Sequence, residues 1–258
     1  NRMKIGLIGD YLNGRTAGDY PERIRKVSGG ELSIAAACGL RDASGGRAGR
    51  QWCAGKGVRC AETVEEVVAE CDGLIVLSPD RGEARESLCR LPLQSGKPTY
   101  MESPFAPDRG TAARLCAEAE KNATPCWSAS PLRFAREYEG FPAATTAAFW
   151  GPGRLEADGV HQLEPLLMLI RQTPERVMAL REDVCERLGI GFEGGHYATI
   201  TCLPDGGPFQ ANVCGPGGNR LLTVKSDYLN AFFHQLVRFF RTKDVPVPRE
   251  DALLTVAV

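Results

Sequence analysis

Lys4-Ile-Gly-Leu-Ile-Gly9-Asp10-Tyr11-Leu-Asn-Gly14 stands near the start of the chain, and its first six residues read as a short strand buried on both faces. The strand ends in a glycine-bounded turn. Outward from it, a polar helical stretch over 19–27 leads to a second buried strand, Leu32–Cys38. Thr63 with Glu66 three residues later signs the start of a helix over 63–71. Gly73–Ser78 and Lys97–Met101 read as the third and fourth strands, with helices over 83–91 and 108–122 and a short strand over 125–128. Residues 44–57, rich in small and basic side chains, read as a loop. Strands alternating with helices of this length form βαβ units, and right-handed crossovers then give a doubly wound parallel sheet. Residues 1–127 are thus expected to form a Rossmann-type nucleotide-binding domain.

Beyond Trp127 the rhythm changes. A strand over 143–150 and an apolar helix over 159–171 precede strands over 177–182, 197–203, 209–214 and 220–225. A final helix over 229–241 carries Phe232, Phe233, Phe239 and Phe240, read as core or dimer packing. One helix among consecutive strands predicts an α+β domain over 128–258 with an open, mainly antiparallel sheet.

Composition narrows the function classes. The 258 residues carry 31 basic and 32 acidic side chains, a net charge of −1 that gives no reason to expect nucleic acid or an anionic membrane as partner. No apolar run reaches the ~18 residues of a spanning helix. The ten cysteines include no C-x-x-C pair and no zinc spacing, so no metal is expected. They read as reduced thiols of a cytoplasmic protein.

A dinucleotide site needs the first strand to end in a turn tight enough for backbone amides to touch a pyrophosphate, the G-x-G-x-x-G fingerprint. Here Gly9 and Gly14 are the first and third glycines, and Tyr11 holds the middle position. Tyr11 either points away or occupies the diphosphate's space, and Asp10 adds a negative charge. At the end of the second strand Gly39 stands where an acid would hold the adenosine ribose. Arg41, close by, either accepts a ribose 2′-phosphate or is a solvated charge.

The order of later segments carries a resemblance. Ser78-Pro-Asp is followed by Gly96-Lys-Pro-Thr-Tyr-Met-Glu102-Ser-Pro104-Phe-Ala, then Ser128-Ala-Ser130-Pro-Leu-Arg133. Gly159-Val-His161-Gln-Leu-Glu164 opens the apolar helix, and Lys243-Asp-Val-Pro-Val-Pro248-Arg-Glu250 follows the Phe-rich one. Together they resemble the Gfo/Idh/MocA oxidoreductases over nearly the whole chain. The resemblance implies NAD or NADP as cofactor and a hydroxyl or carbonyl of a sugar-like or polyol substrate. It also implies a C-terminal domain whose sheet builds homo-oligomers. In this picture Gly9, Tyr11, Gly14, Arg41, Ser78 and Pro79 line the dinucleotide. Two positions depart from the pattern: Ser103 replaces the lysine of E-K-P, and Ala157 stands where an acid precedes Gly159, with Asp158 displaced by one. These losses, with that of the middle glycine, leave an alternative: an inactive relative that keeps the fold as a binding or assembly module.

His161 is the candidate general acid/base, against a capping or core role. Glu164, one turn on, orients the imidazole, binds a hydroxyl, or is an ordinary acid. Glu102, at a strand's C-terminal end, is a catalytic or ligand-binding candidate, against a hydrogen bond to loop backbone. Arg133 with Ser130 and Ser128 suits an anionic or polyhydroxylated ligand, against a domain-interface ion pair.

Overall fold

The computed structural model describes residues 2–12, 17–41, 47–79 and 82–258. The chain forms two compact units, Asn1–Ala129 with Phe233–Val256, and Ser130–Phe232 with the last two residues.

In the first unit β1 (Met3–Gly9), β2 (Leu32–Gly39), β3 (Arg59–Cys60), β4 (Gly73–Val76), β5 (Thr99–Glu102) and β6 (Cys126–Ala129) form one sheet, order β3-β2-β1-β4-β5-β6. Every pairing in it is parallel. The strand order reverses between β1 and β4, the place where open α/β sheets bind ligands beyond their strand C-termini. Helices α1 (Tyr20–Val27), α2 (Arg47–Lys56), α3 (Val64–Glu70), α4 (Ala84–Gln94) and α5 (Arg109–Lys121) alternate with the strands. All four β4 residues are buried, as a strand covered on both faces requires.

Local chemistry sets the helix starts. The Thr63 hydroxyl accepts the Glu66 N–H at 3.3 Å, half of the expected capping box. The Glu66 carboxylate goes instead to Arg59, 3.0 Å away, and to the Glu62 N–H. At α5 the Asp108 carboxylate accepts the Thr111 N–H at 2.8 Å.

The chain's end closes this unit. Helix α7 (Tyr228–Thr242) delivers Phe233 edge-on to Tyr20 at 5.5 Å and Phe239 to Trp127 at 6.0 Å. Phe240 lies so close to β4 that a Cβ on Gly73 would stand 2.7 Å from its ring. Helix α8 (Arg249–Ala257) adds Ala252, Leu253 and Val256 to the core shared by α3, α4 and α5. A division into consecutive stretches at 127/128 does not capture this return. Sequentially distant residues join when their apolar faces complete one core.

In the second unit β7 (Thr146–Pro152), β8 (Pro174–Arg181), β9 (Glu186–Phe192), β10 (Tyr197–Leu203), β11 (Gln210–Gly215) and β12 (Gly218–Thr223) form a sheet, order β12-β11-β7-β10-β9-β8. Only β7 and β10 pair parallel; the rest is antiparallel. Helix α6 (Leu155–Ile170) packs on the face carrying Ala147, Phe149, Ala198 and Ile200, all buried. Register puts Trp150, Tyr197, Met178 and Leu221 on the opposite face. All four are exposed, Met178 at 70% and Leu221 at 77%.

Besides the two-residue β3, which the sequence does not announce, three elements differ from the sequence expectation. The described part of 44–57 is helix α2, whose buried face is only Gly49 and Cys53, too small to register as periodicity. Strand β9 carries Leu188, Ile190 and Phe192 in alternation, but glycines between them dilute the signal. Helix α8 is a nine-residue segment without a one-sided apolar stripe.

Candidate functional site

The first group of site residues lies at the C-terminal ends of β1, β2, β4 and β5. The Leu40 N–H donates to the Gly9 carbonyl at 2.9 Å and the Arg41 N–H to the Asp10 carbonyl at 3.0 Å, so β1 and β2 stay laced together into the turn. A side chain on Gly9 would put its Cβ 3.0 Å from the Tyr11 carbonyl oxygen and 3.1 Å from Leu77. A side chain here fits only if the Tyr11 carbonyl and Leu77 give way by a few tenths of an ångström. Gly14 falls outside the described residues.

Tyr11 is 42% exposed and reaches sideways to the end of β2. There the Arg41 guanidinium donates to its phenolic oxygen at 2.9 Å, with the guanidinium carbon 5.5 Å from the ring centroid. Asp10 is 5% exposed, and its carboxylate lies 3.7 Å from the Arg41 Nε. Arg41 therefore offsets the charge that stands unfavourably in the turn, and it draws the tyrosine ring toward β2.

Glu102 ends β5 with both carboxylate oxygens engaged: one accepts the Tyr20 hydroxyl, the other the Ser78 N–H, each at 2.9 Å. Burial raises the Glu102 pKa above the ordinary glutamate value, against the lowering effect of these two donors. Burial, then the facing Glu102 charge, pushes the Tyr20 phenol well above its usual value, so it stays protonated and donates. Arg85 reaches the Ser78 hydroxyl and the Pro79 carbonyl, both at 3.4 Å. Tyr20 and Arg85 were not legible as site residues. A tyrosine opening a polar helix and an arginine within one carry no local signature.

The second group belongs to the other unit. Ser130 follows β6 and opens the 3-10 turn Pro131–Phe134, which holds Arg133 and packs on α6. The Ser130 Oγ lies 2.6 Å from the His161 Nδ1, and its N–H donates to the Glu164 carboxylate at 2.7 Å. His161 and Glu164 share a face of α6, one turn apart, so both bonds converge on one residue. Ser130 is 1% exposed, and Glu164 is buried. Asp158 turns back to cap its own helix, accepting the Arg154 N–H at 2.9 Å. Four residues beyond His161 stands Pro165, which has no N–H to give the His161 carbonyl and interrupts the α6 ladder there.

Ser128 does not join the Ser130 cluster; its buried hydroxyl has no hydrogen-bond partner among the described residues. Among the described residues, no group of three His, Cys, Asp or Glu side chains could hold a metal ion, and no helix is long and apolar enough to cross a membrane. No disulfide joins any two cysteines among the described residues.

No known family's sequence profile matches this chain, and no curated protein matches it in sequence. Solved structures do match in shape. GenD2 from gentamicin A biosynthesis, in complex with NAD, superimposes with a TM-score of 0.76 at 14% identity, over 99% of this chain and 91% of its own. The UDP-N-acetylglucosamine 3-dehydrogenase GnnA from Acidithiobacillus ferrooxidans gives 0.79 at 14% identity, over 99% and 95%. The myo-inositol dehydrogenase from Lactobacillus casei, in complex with NAD(H) and myo-inositol, gives 0.78 at 11%, over 99% and 92%. At these identities the likeness establishes a shared fold across both units.

Proposed function

We propose that the chain is a Gfo/Idh/MocA-type oxidoreductase using NAD or NADP on a hydroxyl or carbonyl of a sugar-like or polyol substrate. The observation that carries this reading is the full-length likeness to structures solved with NAD and with NAD(H) plus myo-inositol. It agrees with the ordered segments from Ser78 to Glu250.

The first unit fits a dinucleotide on its own geometry. The turn at Gly9 is tight, and Tyr11 is drawn sideways to Arg41. Gly9, Tyr11, Gly14, Ser78 and Pro79 would line the dinucleotide. Arg41 with the Tyr11 ring would meet its adenosine end, the guanidinium suiting a 2′-phosphate. Bound there, the dinucleotide supplies the hydride acceptor or donor. Glu102 is a site carboxylate held by Tyr20 and Ser78, ready to accept from a hydroxyl. His161 is the acid/base that holds the proton of the reacting hydroxyl. Arg133, Ser130 and Glu164 belong to the substrate side. Ser103 brings no positive charge, so the proton work falls to His161.

Purified protein titrated with NADH and NADPH, followed by nicotinamide fluorescence, should bind one or both. Absence of binding at millimolar concentration removes this reading and leaves a non-catalytic scaffold. Turnover of a polyol or sugar substrate should fall by about a hundredfold or more in His161→Ala.

The same reading makes the protein a homo-oligomer. The open sheet face with Trp150, Tyr197, Met178 and Leu221 is apolar and one-sided, and a second copy of this chain covers it. Ten cysteines with no disulfide among the described residues suit a reducing, cytoplasmic setting.

A further inference from the structure

We infer that Ser130 is a positioning residue for His161, taking the place of the missing acid, and that Glu164 acts through Ser130. The inference rests on the oxidoreductase reading for its catalytic consequence, but its structural content stands on one unit alone.

An imidazole that takes a proton at Nε2 must carry its other proton on Nδ1, and the partner of Nδ1 decides which tautomer exists. In the pattern this chain resembles, an acid one turn before the histidine is the natural partner. Here that position is Ala157, which has nothing to offer, and Asp158 spends its carboxylate on the Arg154 N–H at 2.9 Å. The Nδ1 partner comes from elsewhere: the Ser130 hydroxyl, 2.6 Å away on a different segment.

A serine hydroxyl can donate or accept, so it holds an imidazole in place only if its own Oγ is fixed. Ser130 meets that condition. It is 1% exposed, its backbone is extended at φ −78° and ψ 139°, and its N–H is tied at 2.7 Å to Glu164, three residues beyond His161 on the same helix. One turn of α6 thus grips Ser130 at both backbone and side chain. The carboxylate fixes the serine, and the serine fixes the ring. For Nε2 to take the proton of the reacting hydroxyl, the Ser130 Oγ accepts the Nδ1–H, and Nε2 is the unprotonated nitrogen of the neutral ring. Removing Ser130 should change which nitrogen carries the proton while leaving α6 in place.

The test reads the ring directly. In ¹⁵N-labelled full-length protein at alkaline pH, two-bond ¹H–¹⁵N spectra report the tautomer of each of the three histidines. His161→Gln assigns the signal. The expected result is an Nδ1–H tautomer for His161 in the parent, a shift toward Nε2–H in Ser130→Ala, and restoration in Ser130→Thr, which keeps the hydroxyl. With a turned-over substrate, Ser130→Ala should lower kcat by up to about a hundredfold with KM within about twofold. An Nε2–H tautomer in the parent, or a His161 spectrum identical in parent and Ser130→Ala, overturns the inference. The parent measurement needs no variant, so a misfolded Ser130→Ala does not block the test. A Ser130-dependent tautomer in a protein that binds neither NADH nor NADPH would sink the oxidoreductase reading and leave this one standing.

Discussion

Glu137 shows how far a single carboxylate is set by its donors. Its oxygens accept the N–H groups of Lys225 and Ser226 at 2.9 Å each, and the Ser226 hydroxyl at 2.5 Å. Burial acts to raise its pKa, but these bonds outweigh it and bring the group down to about 2. With the folded value below the unfolded glutamate value of about 4.3, its stabilisation is complete above that pH and is lost as pH falls toward 2. Urea midpoints of parent and Glu137→Gln, measured at falling pH, should therefore be separated near neutrality and converge below about pH 4. A gap independent of pH would refute the assignment. Arg41 makes a second case at this scale. If its guanidinium meets a 2′-phosphate, Arg41→Ala should weaken NADPH by about tenfold or more and NADH far less. Equal losses in the two titrations would show that it only steadies Tyr11 and Asp10.

At the scale of elements, the glycines and caps carry the checkable statements. A methyl on Gly73 would stand 2.7 Å from the Phe240 ring, so Gly73→Ala should destabilise by about 1–3 kcal/mol in chemical denaturation, through overpacking between β4 and α7. Thr63→Ala, which removes the α3 cap, should cost about 1 kcal/mol. Elements with strong local signals were legible from sequence: β1, β2 and β4 as continuous apolar runs, α3 from its cap, α6 from its leucines. Helix α2 and strand β9 were not, since a two-residue buried face and glycine-diluted alternation fall below what periodicity detects. The site divides in the same way. Gly9 and Glu102 were named as candidates because they stand at strand ends, and His161 because a helix was read to open at Gly159, whereas α6 begins at Leu155. The Tyr20–Glu102 and Ser130–His161 bonds join residues far apart in sequence, and no spacing rule reaches them. The direction of Tyr11 depended on Arg41, thirty residues away, whose pull only the folded chain reveals.

At the scale of the molecule, the proposed homo-oligomer turns on the open face of the second sheet. Placing charge on it, as in Leu221→Glu with Met178→Glu, should convert the oligomer to monomers in sedimentation while far-UV dichroism stays unchanged. A parent already monomeric at working concentration would rule this out. The first unit depends equally on parts distant in sequence. Its sheet is finished only when Phe233, Phe239, Phe240 and Ala252 arrive from the C-terminal helices. A ribosome makes these residues after the strands of both sheets, so the nascent first half must wait, its apolar surface unsealed, until α7 and α8 have been synthesised. A stop codon or frameshift ahead of α7 would leave the first sheet without Phe233, Phe239 and Phe240, and chaperone demand should peak before those helices emerge.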